Sequence, residues 1–186
     1  MSVNIGGAWK AITETHCNIG GVWKRVTEIW CNIGGTWKRA WSAIKMLYNY
    51  GVELVAWVVG ASALTGSQSK EADHLYLTCR EPAGEDFAYR TYVTNGLVGL
   101  TNYTTMHVEW EAPTGGGPNA HLVASTVKLG DPWTYDARVI KAGTGWAKRT
   151  DSVNISALSG DYYVRVHLVN SAAAWAYLKV YKVWLT

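Results

Sequence analysis

Two pairs of carboxylates, Glu85 with Asp86 and Glu109 with Glu111, are the side chains with the clearest capacity for catalysis. Glu109 and Glu111 alternate with apolar residues, which is typical of one strand face and sets their Cα atoms about 6.6 Å apart. Glycosidases use paired carboxylates at separations of about that order. Because such pairs more often form a solvated strand edge, we assign no catalytic residue and keep a cell-wall glycan hydrolase as an alternative.

Histidine and cysteine show no metal-ligand spacing, and we predict no metal site and no cofactor. His107 and His167 fall at strand positions that alternate away from a core face, where solvent-facing histidines are commoner than ligands. Cys17, Cys31 and Cys79 form an odd set from which no disulfide framework can be deduced. Neither a nucleophile elbow nor a phosphate-binding loop is present.

Aromatic residues beside turn residues are the better candidates for a binding site. Trp133 and Tyr135 follow Asp131 in a segment that also contains proline, and Trp146 follows a glycine-rich segment. Aromatic rings of this kind stack on sugar faces, while neighbouring polar groups orient the ligand. We therefore predict a glycan-binding surface at one end of the domain, formed by Asp131, Trp133, Tyr135 and Trp146. The alternative is that each Trp closes over the core as a lid.

A repeat of 14 residues occupies the first part of the chain, and it reads Asn-Ile-Gly-Gly-x-Trp-Lys from residues 4, 18 and 32. Gly-Gly between apolar residues predicts a two-residue hairpin turn, because both turn positions need positive φ. Each turn pairs the repeat's Asn with its Trp. A second turn midway between repeats would join the hairpins into one continuous antiparallel meander.

The repeat array, residues 1–45, is too thin to bury much apolar surface by itself. Its predicted strands place Val22 and Val26 on one face and Trp23 on the other. We therefore interpret the array as an assembly element that contacts other proteins or copies of itself. Its predicted interface residues are Trp9, Val22, Trp23, Val26, Trp30 and Trp37.

Residues 51–186 show short strands separated by turn clusters, a pattern typical of a β-sandwich or jelly roll. Residues 41–50 fit either a short helix or a last strand of the array. The predicted fold class is all-β, with an N-terminal antiparallel β-hairpin repeat array followed by a jelly-roll-like β-sandwich. The predicted strands lie near residues 54–59, 74–79, 87–94, 106–111, 121–128, 134–141, 151–156, 164–169 and 178–184.

Charge and hydropathy restrict the partners further. Residues 1–45 carry six basic and two acidic side chains, a net +4, against +3 for the chain. Because the basic residues recur at matched repeat positions instead of forming a run, we predict no nucleic-acid binding. The longest apolar stretch, residues 52–64, is too short to span a bilayer, so we predict no membrane insertion. The first residues lack the features of a secretory signal.

The tandem repeats resemble the Gly-Gly-x-Trp-Lys repeats of bacteriophage tail and minor structural proteins, and later stretches resemble the β-sandwich that follows those repeats. These stretches are residues 73–77, 106–111, 161–167 and 178–184. The resemblance implies a non-catalytic virion protein, assembled in the bacterial host cytoplasm among other virion proteins. It further implies a tail-tip or fibre-like role in recognising a host cell-surface glycan. A capsid or tail decoration or adaptor protein without a ligand is the alternative.

Overall fold

The computed structural model describes residues 2–5, 8–11, 16–26, 28–33, 35–42, 44–62, 65–81, 87–112, 119–142, 145 and 147–186. The chain divides into two compact units, residues 1–45 and 46–186. All regular structure within the described ranges is β-strand, which confirms the predicted fold class. Those ranges accordingly hold no helix with the length and apolarity needed to cross a membrane.

Three β-hairpins form the first unit, and their registers confirm the pairing predicted from the Gly-Gly turns. Asn4 lies opposite Trp9, Asn18 opposite Trp23, and Asn32 opposite Trp37. The strands are β1 (Ser2–Ile5), β2 (Ala8–Ala11), β3 (His16–Ile19), β4 (Val22–Arg25), β5 (Glu28–Ile33) and β6 (Thr36–Ser42).

The asparagine of the repeat closes its own turn. Gly20 and Gly21 both adopt positive φ, 61° and 83°, as both central positions of a type I′ hairpin turn require. The Asn18 Oδ1 atom accepts a hydrogen bond from the Gly21 amide at 2.9 Å. Asn32 accepts the equivalent bond from Gly35 at 2.9 Å. The repeat therefore encodes its turn through both the glycines and the asparagine.

The predicted continuous meander is wrong for the described strands, because each hairpin forms its own two-stranded sheet. The pairings of Trp9 with Asn18 and of Trp23 with Asn32 are not among the observed registers. Within a hairpin, a two-residue turn enforces pairing locally. Between hairpins, the sequence offers Thr-Glu, which tolerates positive φ poorly, and so nothing local enforces the next pairing.

The predicted interface residues of the first unit are only partly described. Trp23 is 69% exposed, Val22 is also exposed, and Val26 is half-buried. The side chains of Trp9, Trp30 and Trp37 lie outside the described residues. The β3–β4 hairpin therefore exposes apolar side chains on both faces, as the sequence predicted, and its role in assembly stays a prediction.

The second unit is an antiparallel β-sandwich. Its strands are β7 (Lys45–Asn49), β8 (Val52–Glu53), β9 (Trp57–Val59), β10 (Thr65–Lys70), β11 (Leu75–Arg80), β12 (Ala88–Thr94), β13 (Val98–Gly99), β14 (Thr105–Glu111), β15 (Asn119–Ser125), β16 (Ala137–Ala142), β17 (Arg149–Asn154), β18 (Asp161–Asn170) and β19 (Ala176–Leu185). One sheet has seven strands, ordered β10-β11-β19-β14-β17, with β7 also pairing β19 and β8 pairing β7. The other has six, ordered β16-β15-β18-β12-β9, with β13 also pairing β18.

The core lies between the two sheets and follows the period of two expected for strands with one buried face. Met106, Val108 and Trp110 of β14 face inward and are fully buried. From β11 onward most connections cross from one sheet to the other, as in a jelly roll. On each strand, the residues that alternate with the core residues project from the outer face of that strand's sheet.

Strand positions agree with the sequence where hydrophobic alternation is strong and differ where it is weak. Within residues 41–50, which the sequence left as helix or strand, Trp41 and Ser42 belong to β6, and Lys45–Asn49 form β7. β10 was not predicted, because its sequence Thr-Gly-Ser-Gln-Ser-Lys contains no apolar side chain. It forms because it extends the edge of the sheet beside β11.

Candidate functional site

The predicted site residues Asp131, Trp133 and Tyr135 lie in the loop of residues 126–136, between β15 and β16. Asp131 organises this loop: its Oδ1 atom accepts hydrogen bonds from the Trp133 amide, the Thr134 amide and the Thr134 hydroxyl at 3.0, 2.8 and 2.8 Å. Burial would raise the pKa of Asp131, but these bonds outweigh it and hold the pKa below its usual range. Asp131 therefore shapes the loop, and its Oδ1 atom is already engaged there.

The loop lies over the outer face of the six-stranded sheet, and not at an end of the sandwich as predicted. Arg165 projects from that face of β18 and donates hydrogen bonds to the carbonyl oxygens of Asp131, at 3.3 Å, and Thr134. Arg138 donates to the Pro132 carbonyl at 3.4 Å. Guanidinium groups beneath a loop satisfy carbonyl oxygens that a strand ladder cannot reach. The sequence could not predict this placement, because it depends on Arg165, which lies 34 residues from Asp131 in the chain.

The exposed aromatic residues of the loop each pack on one neighbour. Trp133 is 46% exposed, and its ring meets that of Phe87 edge-on with the centroids 4.5 Å apart. Tyr135 is exposed, with the Arg138 guanidinium 4.0 Å from its ring centroid. The third predicted aromatic, Trp146, lies outside the described residues. The loop thus presents two partly exposed rings, whereas a lid over the core would be buried.

Beneath the loop lies a buried polar cluster that the sequence did not predict. His167 and His121 occupy facing positions on β18 and β15, with ring centroids 6.4 Å apart. The Thr91 hydroxyl lies 2.7 Å from the His167 Nδ1 atom. Burial lowers the pKa of His121 to about 4 and that of His167 well below its usual value. Both imidazoles are therefore neutral at pH 7, and His121 is hydrogen-bonded to the backbone of Pro132 in the loop.

The outer face of the seven-stranded sheet carries a second and larger set of rings, which we call the aromatic face. Tyr177, Tyr181 and Trp184 point outward from β19, opposite the side that buries Leu178 and Val183. Neighbouring strands and turns contribute the remaining rings. The aromatic face comprises Tyr50, His74, Tyr76, His107, Tyr177, Tyr181 and Trp184.

Stacked pairs mark both ends of the aromatic face. Tyr76 and Tyr177 have centroids 6.2 Å apart and planes 19° apart. At the other end, His107 and Trp184 have centroids 4.9 Å apart and planes 14° apart. Tyr177 and Trp184 lie seven positions apart along β19, or about 23 Å of strand. The face therefore has the length of an extended chain of several sugar units.

The centre of the aromatic face combines rings with lysine ammonium groups. Tyr181 is buried, and Tyr50 lies against it with the centroids 5.8 Å apart. The Lys148 Nζ atom lies 3.8 Å from the Tyr181 centroid and 4.8 Å from that of Tyr50. The Lys182 Nζ atom lies 4.6 Å from the Tyr50 centroid. Cations over ring faces are held electrostatically, so this part of the surface is preorganised.

One of the two carboxylate pairs considered for glycan hydrolysis, Glu109 and Glu111, belongs to this surface. Glu109 pairs with Lys148 and Lys182, each at 3.4 Å, and Glu111 pairs with Lys179 at 3.2 Å. Burial would raise the pKa of Glu109, but hydrogen bonds from Tyr50 and the two lysines outweigh it and lower the pKa. A glycosidase general acid needs a raised pKa, whereas the pKa of Glu109 is lowered. The other carboxylate pair, Glu85 and Asp86, lies outside the described residues.

The two histidines considered as metal ligands are separated by the structure. His107 projects from the outer face of the seven-stranded sheet, and His167 from the six-stranded sheet. Among the residues that the structure describes, no three histidine, cysteine or carboxylate side chains form a group that could hold a metal ion. The free thiol of Cys79 is buried, which raises its pKa to about 12.

A sequence signal for the aromatic face exists in β19, although the prediction did not use it. The outward positions Tyr177, Lys179 and Tyr181 alternate with the buried Leu178 and Val180. Tyrosine at solvent-facing positions of a strand is a feature of binding surfaces. The contributions of Tyr50 and Lys148 carry no such signal, because each follows from the way its turn or loop folds back.

No protein-family model matches the chain, and no curated protein matches it in sequence. Among solved structures, the chain is similar to the family 11 carbohydrate-binding module from Clostridium thermocellum, in complex with a β-1,3-1,4-mixed-linked tetrasaccharide. The identity is 10%, the TM-score 0.48, and the alignment covers 76% of this chain and 94% of that one. For a family 29 carbohydrate-binding module from Piromyces equi the values are 11%, 0.46, 76% and 88%. For the structure of PfGH50B they are 9%, 0.45, 70% and 22%.

Proposed function

We propose that this chain is a non-catalytic glycan-binding protein, and that the aromatic face of its sandwich is the binding surface. The observation that carries the proposal is the row of rings along β19, in which Tyr177 and Trp184 are half-buried and Tyr181 lies between them. Sugar rings stack on aromatic faces, and the intervening lysine and glutamate side chains supply hydrogen-bond donors and acceptors for hydroxyl groups. A strand scaffold holds such groups more rigidly than a loop does.

The setting we propose is a bacteriophage virion, on the basis of the repeat resemblance. In this proposal the hairpin repeats attach the protein to other virion proteins or to sister copies, and the sandwich reaches a host cell-surface glycan. Exposed Val22 and Trp23 support an attachment role for the hairpins, because apolar side chains on both faces of a thin sheet favour a partner. A decoration or adaptor protein without a ligand would attach through the same hairpins, and its aromatic face would bind no glycan.

The test is binding of the full chain to a panel of bacterial surface polysaccharides by affinity electrophoresis. We expect Tyr177→Ala and Trp184→Ala to weaken binding about tenfold each, equivalent to about 1.4 kcal/mol, without unfolding the sandwich. Trp133→Ala, on the opposite sheet, is the matched control and should bind as the unaltered chain does. Unchanged binding in both aromatic-face variants, with loss in Trp133→Ala, would move the site to the loop of residues 126–136. Failure of the unaltered chain to bind any glycan would favour the adaptor role.

A further inference from the structure

Tyr50 has an unusual backbone conformation at the centre of the aromatic face. Its φ is 43°, in the left-handed region, and Gly51 follows at 80°. The two form the turn between β7 and β8, with Asn49 opposite Val52. Asn-Gly is the pair such a turn favours, and a bulky side chain at its first position is strained. Tyr50 is the only residue other than glycine, within the described ranges, with positive φ.

Strain of this kind persists where the surroundings hold the residue in place, and it concentrates at functional sites. The Tyr50 hydroxyl donates a hydrogen bond to Glu109 and accepts one from Lys148 at 3.3 Å. The Tyr50 amide donates to the Tyr181 carbonyl at 2.8 Å, which anchors the turn to β19. The fold therefore keeps a tyrosine, at a cost in backbone strain, where asparagine would form the turn more easily.

The charge around Tyr50 is unevenly placed. Lys148 and Lys182 share the single carboxylate of Glu109, at 3.4 Å each. The Glu109 side chain is 14% exposed, whereas those of Lys148 and Lys182 are 40% and 29% exposed. The carboxylate is thus the inner group and the lysines the outer ones. Of the two nearby carboxylates, Glu111 pairs with Lys179, and Asp73 is hydrogen-bonded to the His74 ring.

We propose that Tyr50, Lys148 and Lys182 form a subsite for an acidic sugar unit within the glycan-binding surface. The two ammonium groups would meet the acidic group of the sugar, and the exposed part of the Tyr50 side chain would contact the sugar ring beside it. Charge-assisted hydrogen bonds are stronger than neutral ones, so this subsite would select acidic chains over their neutral counterparts. This inference rests on the proposed function and names the ligand class of the same surface.

The experiment compares matched acidic and neutral polymers with the full chain. Affinity electrophoresis is run against polygalacturonate and its methyl ester, and against a phosphomannan before and after dephosphorylation. We expect retention by an acidic chain, at least tenfold weaker retention by its neutral counterpart, and loss of the preference as salt rises. Equal retention by acidic and neutral chains would overturn the acidic subsite and leave the glycan-binding proposal standing. Retention by no polymer of this panel overturns the subsite, and the surface-polysaccharide panel then decides the proposed function separately.

Variants separate the subsite from the fold. Lys148→Gln and Lys182→Gln should each reduce retention by the acidic chain several-fold and flatten its salt dependence. Lys128→Gln, whose ammonium binds Asn95 elsewhere on the sandwich, should change neither. Tyr50→Asn supplies the residue that the turn favours, so it should fold. It also removes the ring over which both ammonium groups lie, so it should lose acidic selectivity. Full acidic selectivity in a folded Tyr50→Asn protein would exclude Tyr50 from the subsite.

Discussion

The Thr91 hydroxyl and the His167 Nδ1 atom lie 2.7 Å apart on neighbouring strands, beneath the loop of residues 126–136. Both residues sit on the outer face of the six-stranded sheet and are nevertheless buried. The loop is hydrogen-bonded to Arg165 on the same face. The sandwich therefore has one outer face covered by its own chain and one outer face with partly exposed rings. This difference is the structural basis for placing the candidate glycan surface on the seven-stranded sheet.

Acid should destabilise the sandwich through the buried histidines. The pKa of His121 is about 4 in the folded chain, below its ordinary 6.5, so the unfolded chain takes up a proton first as pH falls. The contribution of His121 to the free energy of unfolding should be complete above about pH 6.5. It should decrease as the pH falls from there to about pH 4, by roughly 3 kcal/mol in all. Urea unfolding at pH 7 and pH 5 measures the effect. A His121→Gln variant should lose less stability over that interval, and equal losses would show that His121 is not the source.

Asp151 should be needed for the packing of Trp110. Its Oδ2 atom accepts a hydrogen bond from the Trp110 Nε1–H at 2.7 Å, and its carboxylate also pairs with Lys141 at 3.1 Å. Asp151→Ala removes the acceptor from a buried donor and should cost about 1–3 kcal/mol in the free energy of unfolding. Asp151→Asn keeps an acceptor oxygen and should cost less. Equal losses of unfolding free energy in the two variants would show that the carboxylate charge matters and the hydrogen bond to Trp110 does not.

Gly51 should tolerate no side chain, because a Cβ atom there would lie 1.8 Å from the Ala72 carbonyl oxygen. Gly160 has positive φ, 101°, with open space around it. Gly160→Ala should therefore cost about 1–2 kcal/mol from the left-handed backbone alone. Gly51→Ala should cost clearly more, as measured by chemical unfolding. Similar losses for the two would mean that the Gly51 turn can shift away from residue 72.

Trp133 should matter less for stability than a core tryptophan. It is partly exposed and packs edge-on against Phe87. Trp133→Ala should therefore lower the free energy of unfolding by about 0.5–1.5 kcal/mol for the lost ring contact, in addition to the effect of the apolar area that the ring buries. Trp57 is fully buried and donates to the Leu47 carbonyl at 3.3 Å. Trp57→Ala should cost about 3–5 kcal/mol. Thermal melts of both variants make the comparison, and a Trp133→Ala loss as large as that of Trp57→Ala would show a structural lid.

The sequence by itself determined the local features of this protein. A two-residue hairpin turn needs positive φ at two consecutive positions, which Gly-Gly adopts readily, so the sequence located the turns. The position of each turn then specified the pairing of each Asn with its Trp. Alternation of apolar residues along segments such as Met106, Val108 and Trp110 likewise located the strands and their buried faces. Such features depend on residues that are close in the chain, so a local rule is sufficient to predict them.

Only the tertiary structure decided which distant residues meet. Tyr50 and Lys148 are 98 residues apart and meet over Tyr181 because β7 pairs with β19 and the segment before β17 returns to the same face. The loop that carries Trp133 was predicted to be exposed, but its position over the six-stranded sheet depends on Arg165, 34 residues from Asp131. The separation of the hairpins also lay beyond sequence reasoning. Contacts between distant segments depend on the balance of all competing pairings, which no short motif contains.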